Sequence, residues 1–418
     1  MSASKLNEPS LNKDFLLSDS KTFCMFPWVH VNTDPTGIVF PCCVATIDPK
    51  DRETVNGRGL NEIANIDNIK QLRLDMLNEV TNPICQICTE HEKFNIHSVR
   101  KAANQTYGKY IDAVDNTNED GSLSDFKMYY FDMRFNNICN FKCRTCNSHF
   151  SSQWEQENIR NGIKIEFNKS DTRQLLQDCI KQIPHMETAY FAGGEPLITE
   201  EHYILLEEMI KQGRTDINLV YNTNLSGFKF KGKHVFDMWD KFKNPVNVCA
   251  SIDHYGARAE YIRHGTVWDV VEANYKSAMQ QDNINLSINT VYSIFNALTI
   301  DDFYRYLIDQ GMYSNRPSAP TNSLNCTANP KEIACHALPA EYRDKARRAL
   351  ENTVQLFVDA GFTEDKIQVI KQAIAWLDKE GNEESDLSQF RKEVRRIDKI
   401  RNENFKEAFP ELQGLLDE

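Results

Sequence analysis

Met128-Tyr129-Tyr130-Phe131-Asp132-Met133-Arg134-Phe135-Asn136-Asn137-Ile138-Cys139-Asn140-Phe141-Lys142-Cys143-Arg144-Thr145-Cys146 is the stretch on which the reading of this chain turns. Its first half, Met128 to Phe135, is strand-like. Its second half sets Cys139, Cys143 and Cys146 at a spacing that lets one short loop bring three thiolates to one iron-sulfur cluster. A fourth iron is then left without a protein ligand, and an open metal position is where a substrate can bind. The same residues have a second reading. His149 follows Cys146 by three residues, so Cys139, Cys143, Cys146 and His149 could close a tetrahedral zinc site.

Working outward, apolar or β-branched runs recur at Thr188 to Phe191, Ile217 to Tyr221, Val246 to Ile252 and Leu286 to Tyr292. Helix-like stretches separate them at Asp171 to Ile183, His202 to Lys211 and Val267 to Met279. Strands alternating with helices imply parallel pairing, and a sixth unit ending near Gly311 to Asn315 would complete an α/β fold of the partial (β/α)6 TIM-type barrel kind. Functional groups of such barrels collect after the C-terminal ends of the strands. Here those positions carry the three cysteines, Ala192-Gly193-Gly194-Glu195-Pro196, Asn222-Thr223-Asn224, Ser251-Ile252-Asp253, and Asn289 late in its strand.

Taken alone, Gly193-Gly194-Glu195-Pro196 fits an ordinary strand-to-helix turn. Together with the CxxxCxxC run one strand earlier, it resembles the radical S-adenosylmethionine (SAM) superfamily, although Thr145 stands where that family usually has an aromatic residue. The resemblance implies that Cys139, Cys143 and Cys146 hold a four-iron four-sulfur cluster whose free iron chelates SAM. Electron transfer would then cleave SAM to a 5′-deoxyadenosyl radical that abstracts hydrogen from a substrate. Gly193, Gly194, Glu195 and Pro196 would meet the ammonium of SAM, with Glu195 adding an acceptor of opposite charge. Ser251 and Asp253 match the segment that touches the ribose or carboxylate, although Asp253 could equally cap a helix. Asn222, Asn224, Asn289 and Arg263 are further pocket candidates, Arg263 as a bidentate carboxylate clamp, with solvated turn residues as the other reading of each.

A second cysteine group lies ahead of the barrel: Cys24, then Cys42 and Cys43 after the Gly37 turn, then Cys85 and Cys88 as CxxC. Between them Ile66, Ile69, Leu72 and Met76 recur as on one helix face. This stretch resembles the SPASM and twitch modules, which implies a second, auxiliary four-iron cluster on Cys24, Cys42, Cys85 and Cys88, with Cys43 as the alternative to Cys42. A zinc ribbon on the same thiolates is the competing reading. Most relatives carry this module after the barrel; here it precedes it. Cys326 and Cys335, with His336, follow the barrel, and Cys179 and Cys249 read as core thiols.

The 418 residues divide, on this reading, into an auxiliary module at 20–95, a linker at 96–125 that is acidic and polar from Asp112 to Asp125, a core at 126–315 and a helical extension at 316–418. In the extension Tyr342, Ala346, Leu350, Val354 and Val358, and later Phe390, Val394, Ile397 and Ile400, form apolar stripes. Lys392, Arg395, Arg396, Lys399 and Arg401 read as a solvated basic face. A net charge of −12 disfavours nucleic acid as a partner. With no apolar run long enough for a bilayer and a polar start at Met1 to Ser20, no membrane partner and a cytoplasmic location are expected. The expected partners are a peptide or small-molecule substrate and an electron donor such as flavodoxin or ferredoxin. The rival class is a non-catalytic zinc- or iron-sulfur-binding interaction protein.

Overall fold

The computed structural model describes residues 12–93, 97–165, 167, 169–313, 323–327, 329–378 and 383–417. The strands used below are, in chain order, β1 (Asn32–Thr33), β2 (Val39–Phe40), β3 (Tyr130–Met133), β4 (Lys142–Cys143), β5 (Thr188–Phe191), β6 (Asn218–Thr223), β7 (Val246–Ser251), β8 (Arg263–His264), β9 (Ile284–Tyr292) and β10 (Ser323–Cys326). The helices used below are α1 (Asp67–Leu77), α2 (Gln86–Lys93), α3 (Val99–Tyr107), α4 (Ser152–Arg160), α5 (Trp268–Met279), α6 (Ile300–Asp309), α7 (Ala340–Asp359) and α8 (Glu383–Arg401).

The chain forms two compact units, each assembled from separated stretches. The first takes Met1–Asn136, Phe167–Phe191 and Tyr203–Ile217; the second takes Asn137–Glu166, Ala192–His202 and Asn218–Glu418. In the first unit β1 lies parallel to β3 and β3 parallel to β5, while β2 returns antiparallel along β1. The N-terminal cysteine-rich segment contributes β1 and β2 to the same sheet as β3. In the second unit β6, β7, β9 and β10 are all parallel, with Thr223 opposite Ala250, and Asn289 opposite both Ser251 and Ser323.

Alternation along these strands places the site. In β7, Val246, Val248 and Ala250 are buried, whereas Asn247, Cys249 and Ser251 are half-buried. The register carries this split across the sheet, so Asn222, Ser251 and Asn289 share the polar face while Tyr221, Val248 and Ile288 make the apolar one.

Three expectations change. The sixth parallel strand is β10 at Ser323–Cys326, after α6, and 311–313 is not a strand; Cys326 thus belongs to the sheet rather than to a segment beyond it. Residues 314 and 315, where the sixth unit was expected to end, lie outside the described residues. The span 96–125 is more than a linker: Arg100, Ala103, Asn104 and Tyr107 on α3 are buried, as are Val114 and Leu123. Val358 is 52% exposed, because a strict four-residue step drifts around a helix of 3.6 residues per turn. The face of α7 that is buried is Ala346, Ala349, Leu350, Thr353 and Phe357. Elsewhere the stripes match the packing, with Ile66, Ile69, Leu72 and Met76 all buried on and beside α1. Among the described residues no helix is long and apolar enough to cross a membrane.

Candidate functional site

The cysteine loop is held from three sides within the second unit. Ser151 caps α4 by accepting from the Trp154 amide and donates its own hydroxyl to the Phe141 carbonyl at 2.6 Å. The Cys139 amide donates to Ser152 Oγ at 3.2 Å, and Trp154 Nε1 donates to the Cys143 carbonyl at 2.8 Å. Opposite, β4 pairs antiparallel with β8, setting Arg263 across from Cys143, and the Arg144 amide donates to the Ile262 carbonyl at 2.7 Å.

The third side is the double-glycine turn. The Glu195 amide donates to the Ile138 carbonyl at 2.7 Å. Gly193 sits at φ +93°, a left-handed conformation that glycine alone adopts freely. At Gly194 a Cβ would stand 2.0 Å from the Ile138 carbonyl oxygen, so any side chain there is excluded. The second glycine is needed for close backbone approach to the cysteine loop.

Glu195 braces the turn. It is buried, with Oε1 accepting from the Leu197 amide at 3.1 Å and the Thr223 hydroxyl at 2.7 Å, and Oε2 accepting from the Asn224 amide at 2.7 Å. Burial pushes its pKa up to about 7 against the pull of those donors. Its carboxylate ties the turn to the end of β6. Pro196 opens the 3₁₀ turn that follows. Asn224 Nδ2 in turn donates to Asn140 Oδ1 at 3.0 Å, tying the end of β6 to the cysteine loop.

Asp253 and Arg263 are likewise committed to each other. Arg263 Nε lies 2.8 Å from Asp253 Oδ2, off the hydrogen-bond axis, while Nη2 donates to Oδ1 at 3.1 Å; the Val291 amide also donates to Oδ1, at 2.8 Å. Arg263 Nη1 approaches Cys143 Sγ at 3.8 Å, so Arg263 connects Asp253 to the middle cysteine rather than offering a free clamp. Asn289 Oδ1 accepts from Ser323 Oγ at 3.0 Å.

Burial lifts all three thiols, helped by the Cys143 thiol at Cys139 and Cys146 and by Asp253 at Cys143: Cys139 and Cys143 rise above the ordinary thiol value, and Cys146 is pushed up to about 12. Neighbouring Arg263 opposes the rise at Cys143 and Cys146. Thiols crowded together out of water need a cationic centre to ionise, which suits a metal-sulfur group. Among the described residues no three His, Cys, Asp or Glu side chains stand close enough to hold a single metal ion.

Beneath the loop lies a charged network that sequence reasoning missed. Arg144 is buried, stacks 3.7 Å over Tyr261 and pairs with Asp398 and Glu403, each at 2.5 Å. Arg401 pairs with Glu157 at 2.9 Å, donates to the Lys142 carbonyl at 3.0 Å and lies over Trp154. Glu157 also binds Lys142. Arg401, expected on a solvated face, is thus buried under β4, and α8 is locked to the cysteine loop. Contacts across some 250 positions leave no local trace in sequence; the one available signal was Ser151 as an N-cap.

The second cysteine group comes together in the first unit. Cys24, Cys42, Cys85 and Cys88 line one pocket, walled by Phe26, Leu72, Met76 and Ile84 and flanked by Arg100. Cys43 is exposed and stands outside that lining. Helix α3 fixes Cys24 from both sides: Asn104 Oδ1 accepts from the Met25 amide at 2.9 Å and its Nδ2 donates to the Phe23 carbonyl at 3.1 Å. Arg100 Nη1 reaches that same carbonyl at 2.9 Å, and its Nε and Nη2 grip Glu92 on α2 at 2.8 and 2.6 Å. Burial raises the Cys85 thiol to about 11 and the Cys24 and Cys88 thiols above their usual value.

No family model matches the chain, and no curated protein does. Among solved structures it is similar to native anSMEcpe with bound AdoMet and Cp18Cys peptide, at 15% identity and a TM-score of 0.36 over 55% of this chain and 60% of that one. A polyhistidine-tagged form of anSMEcpe with bound AdoMet gives 15% and 0.40 over 57% and 61%. Streptococcus suis SuiB bound to S-adenosylmethionine gives 13% and 0.36 over 71% and 63%. The matched regions span about three fifths of those chains.

Proposed function

We propose that the chain is a radical SAM enzyme with a core of the partial (β/α)6 barrel kind, acting on a peptide or, second, a small metabolite. The observation that carries this reading is the clamp between the Cys139–Cys146 loop and the Gly193-Gly194-Glu195 turn, where the Glu195 amide meets the Ile138 carbonyl at 2.7 Å. Cys139, Cys143 and Cys146 would hold a four-iron cluster, and the backbone of Gly193 and Gly194 would receive the ammonium of SAM. When bound, that pair supplies a carbon-centred radical able to abstract hydrogen. The chain's own residues orient and shield it: Glu195 braces the turn, Arg263 tempers the charge at Cys143, and Ser251, Asn222 and Asn289 offer the polar face of the sheet to the nucleoside.

Cys24, Cys42, Cys85 and Cys88 would hold a second cluster, with Cys42 rather than Cys43 as the ligand because Cys42 lines the pocket. The expected electron donor is a flavodoxin or ferredoxin. Protein purified without oxygen, given SAM and dithionite, is expected to be brown and to release 5′-deoxyadenosine, read by mass spectrometry. Cys143→Ala is expected to abolish that product. A colourless zinc protein, or unchanged product from the variant, would sink the reading.

A further inference from the structure

One face of the first unit's sheet departs from what parallel strands usually present. Strands covered on both sides are normally apolar on both. Here Phe131, Met133, Ala189 and Phe191 form an apolar face, whereas Tyr130, Asp132 and, one step on, Arg134 alternate onto the other, beside Tyr190. Asp132 is wholly buried, its Oδ2 has no hydrogen-bond partner, and burial holds its carboxyl above the usual carboxylate range.

Arg134 donates to Asp132 through Nε alone, at 3.3 Å to Oδ1; among the described residues its two terminal nitrogens make no hydrogen bond. Two other buried arginine pairs of this chain are two-pronged. Arg100 holds Glu92 at 2.8 and 2.6 Å, and Arg401 holds Glu157 at 3.1 and 2.9 Å. Two prongs satisfy more of a desolvated guanidinium's donors, although buried Arg144 pairs with Asp398 and Glu403 through Nη2 alone. Arg134 instead is steadied along one edge and presents the other, with 16% of the side chain exposed. The Tyr190 hydroxyl and the exposed Cys43 thiol lie within electrostatic range of it, and the charged neighbour acting on it is Asp132.

We propose that Arg134, positioned by Asp132 and flanked by Tyr190 and Cys43, binds a carboxylate group of the substrate. The free edge of a guanidinium offers two parallel N–H groups, which match a planar carboxylate. One cation already half-neutralised suits a monoanion and not a phosphate dianion. Cys43 is the chain neighbour of Cys42, so a carboxylate held here lies beside the second cysteine pocket. The proposal names a substrate class for the reading above, yet binding itself requires neither SAM nor radical chemistry, so each can fail without the other.

Calorimetry on the full chain as purified tests it, with four probes: N-acetyl-alanyl-alanine, its C-terminal amide, N-acetyl-glutamate N-methylamide and inorganic phosphate. At least one carboxylate probe is expected to bind saturably, and by about tenfold more tightly than the amide. Which carboxylate binds separates a chain terminus from an acidic side chain. Arg134→Gln is expected to erase the acid-over-amide preference; should that variant fail to fold, Arg134→Lys, which keeps the charge without the fork, is expected to shrink it. Equal binding of acid and amide, a preference that survives both variants, failure of both carboxylates to bind, or phosphate outcompeting them would each overturn the proposal.

Discussion

At the scale of single residues, the site depends on atoms that are missing. Gly194 has no Cβ, and the Ile138 carbonyl occupies the place one would take, 2.0 Å from its ideal position. Neither partner is a flexible side chain, so the clash can be relieved only by moving backbone. Gly194→Ala is therefore expected to destabilise the second unit by about 1–3 kcal/mol and to part the turn from the loop. A lowered thermal midpoint, together with iron loss from the first site alone, would register both effects. Glu195 gives the complementary lesson. Its identity in the Gly-Gly-Glu-Pro run was readable, and its role as a charged acceptor for a ligand was inferred from resemblance. Three inward hydrogen bonds make it a brace as well, something a one-dimensional string cannot reveal because the donors at Thr223 and Asn224 come from the next strand.

At the scale of elements, the strands were legible wherever apolar residues alternate or cluster. Thr188–Phe191 agrees with its expected bounds, and β7 and β9 differ by a residue or two. What escaped was set by distance in sequence. The sixth strand, Ser323-Leu324-Asn325-Cys326, is too polar to announce itself and exists because β9 offers a parallel edge. Arg401 looked like one of several surface cations until α8 folded back under Trp154 and Glu157. The coupling between α8 and the cysteine loop is testable at Arg144. Arg144→Met keeps the side chain's bulk but strands Asp398 and Glu403 in a half-buried place, and breaking such a pair costs about 3–5 kcal/mol. Faster hydrogen exchange across residues 139–146 is expected, with unit one unaffected. Unchanged exchange would mean that α8 merely covers the loop.

At the scale of the whole molecule, two cysteine cradles lie in two different units, and their metals should be separable. Cys88→Ala is expected to lower iron from about eight to about four atoms per chain while 5′-deoxyadenosine formation persists and substrate turnover fails. Acid sensitivity is also spread across the chain. His30, His202 and His254 are buried and neutral, with burial lowering their pKa values to about 4, about 3 and about 3. In the unfolded chain each titrates near the ordinary histidine value, so the unfolded state binds more protons below it and stability falls as pH drops. The loss approaches 1.4 kcal/mol per pH unit for each histidine, from about pH 6.5 down to about 4. A thermal midpoint flat across that window would contradict their burial.

The interleaving of the units, finally, bears on manufacture. All four cysteines of the second pocket leave the ribosome before the first cysteine of the other trio, yet the unit that houses them borrows β5 and residues up to Ile217. Early synthesis therefore does not mean early completion. The N-terminal cradle is no detachable cassette: cutting the gene after residue 136 would yield a fragment deprived of a strand its own sheet was shaped to receive.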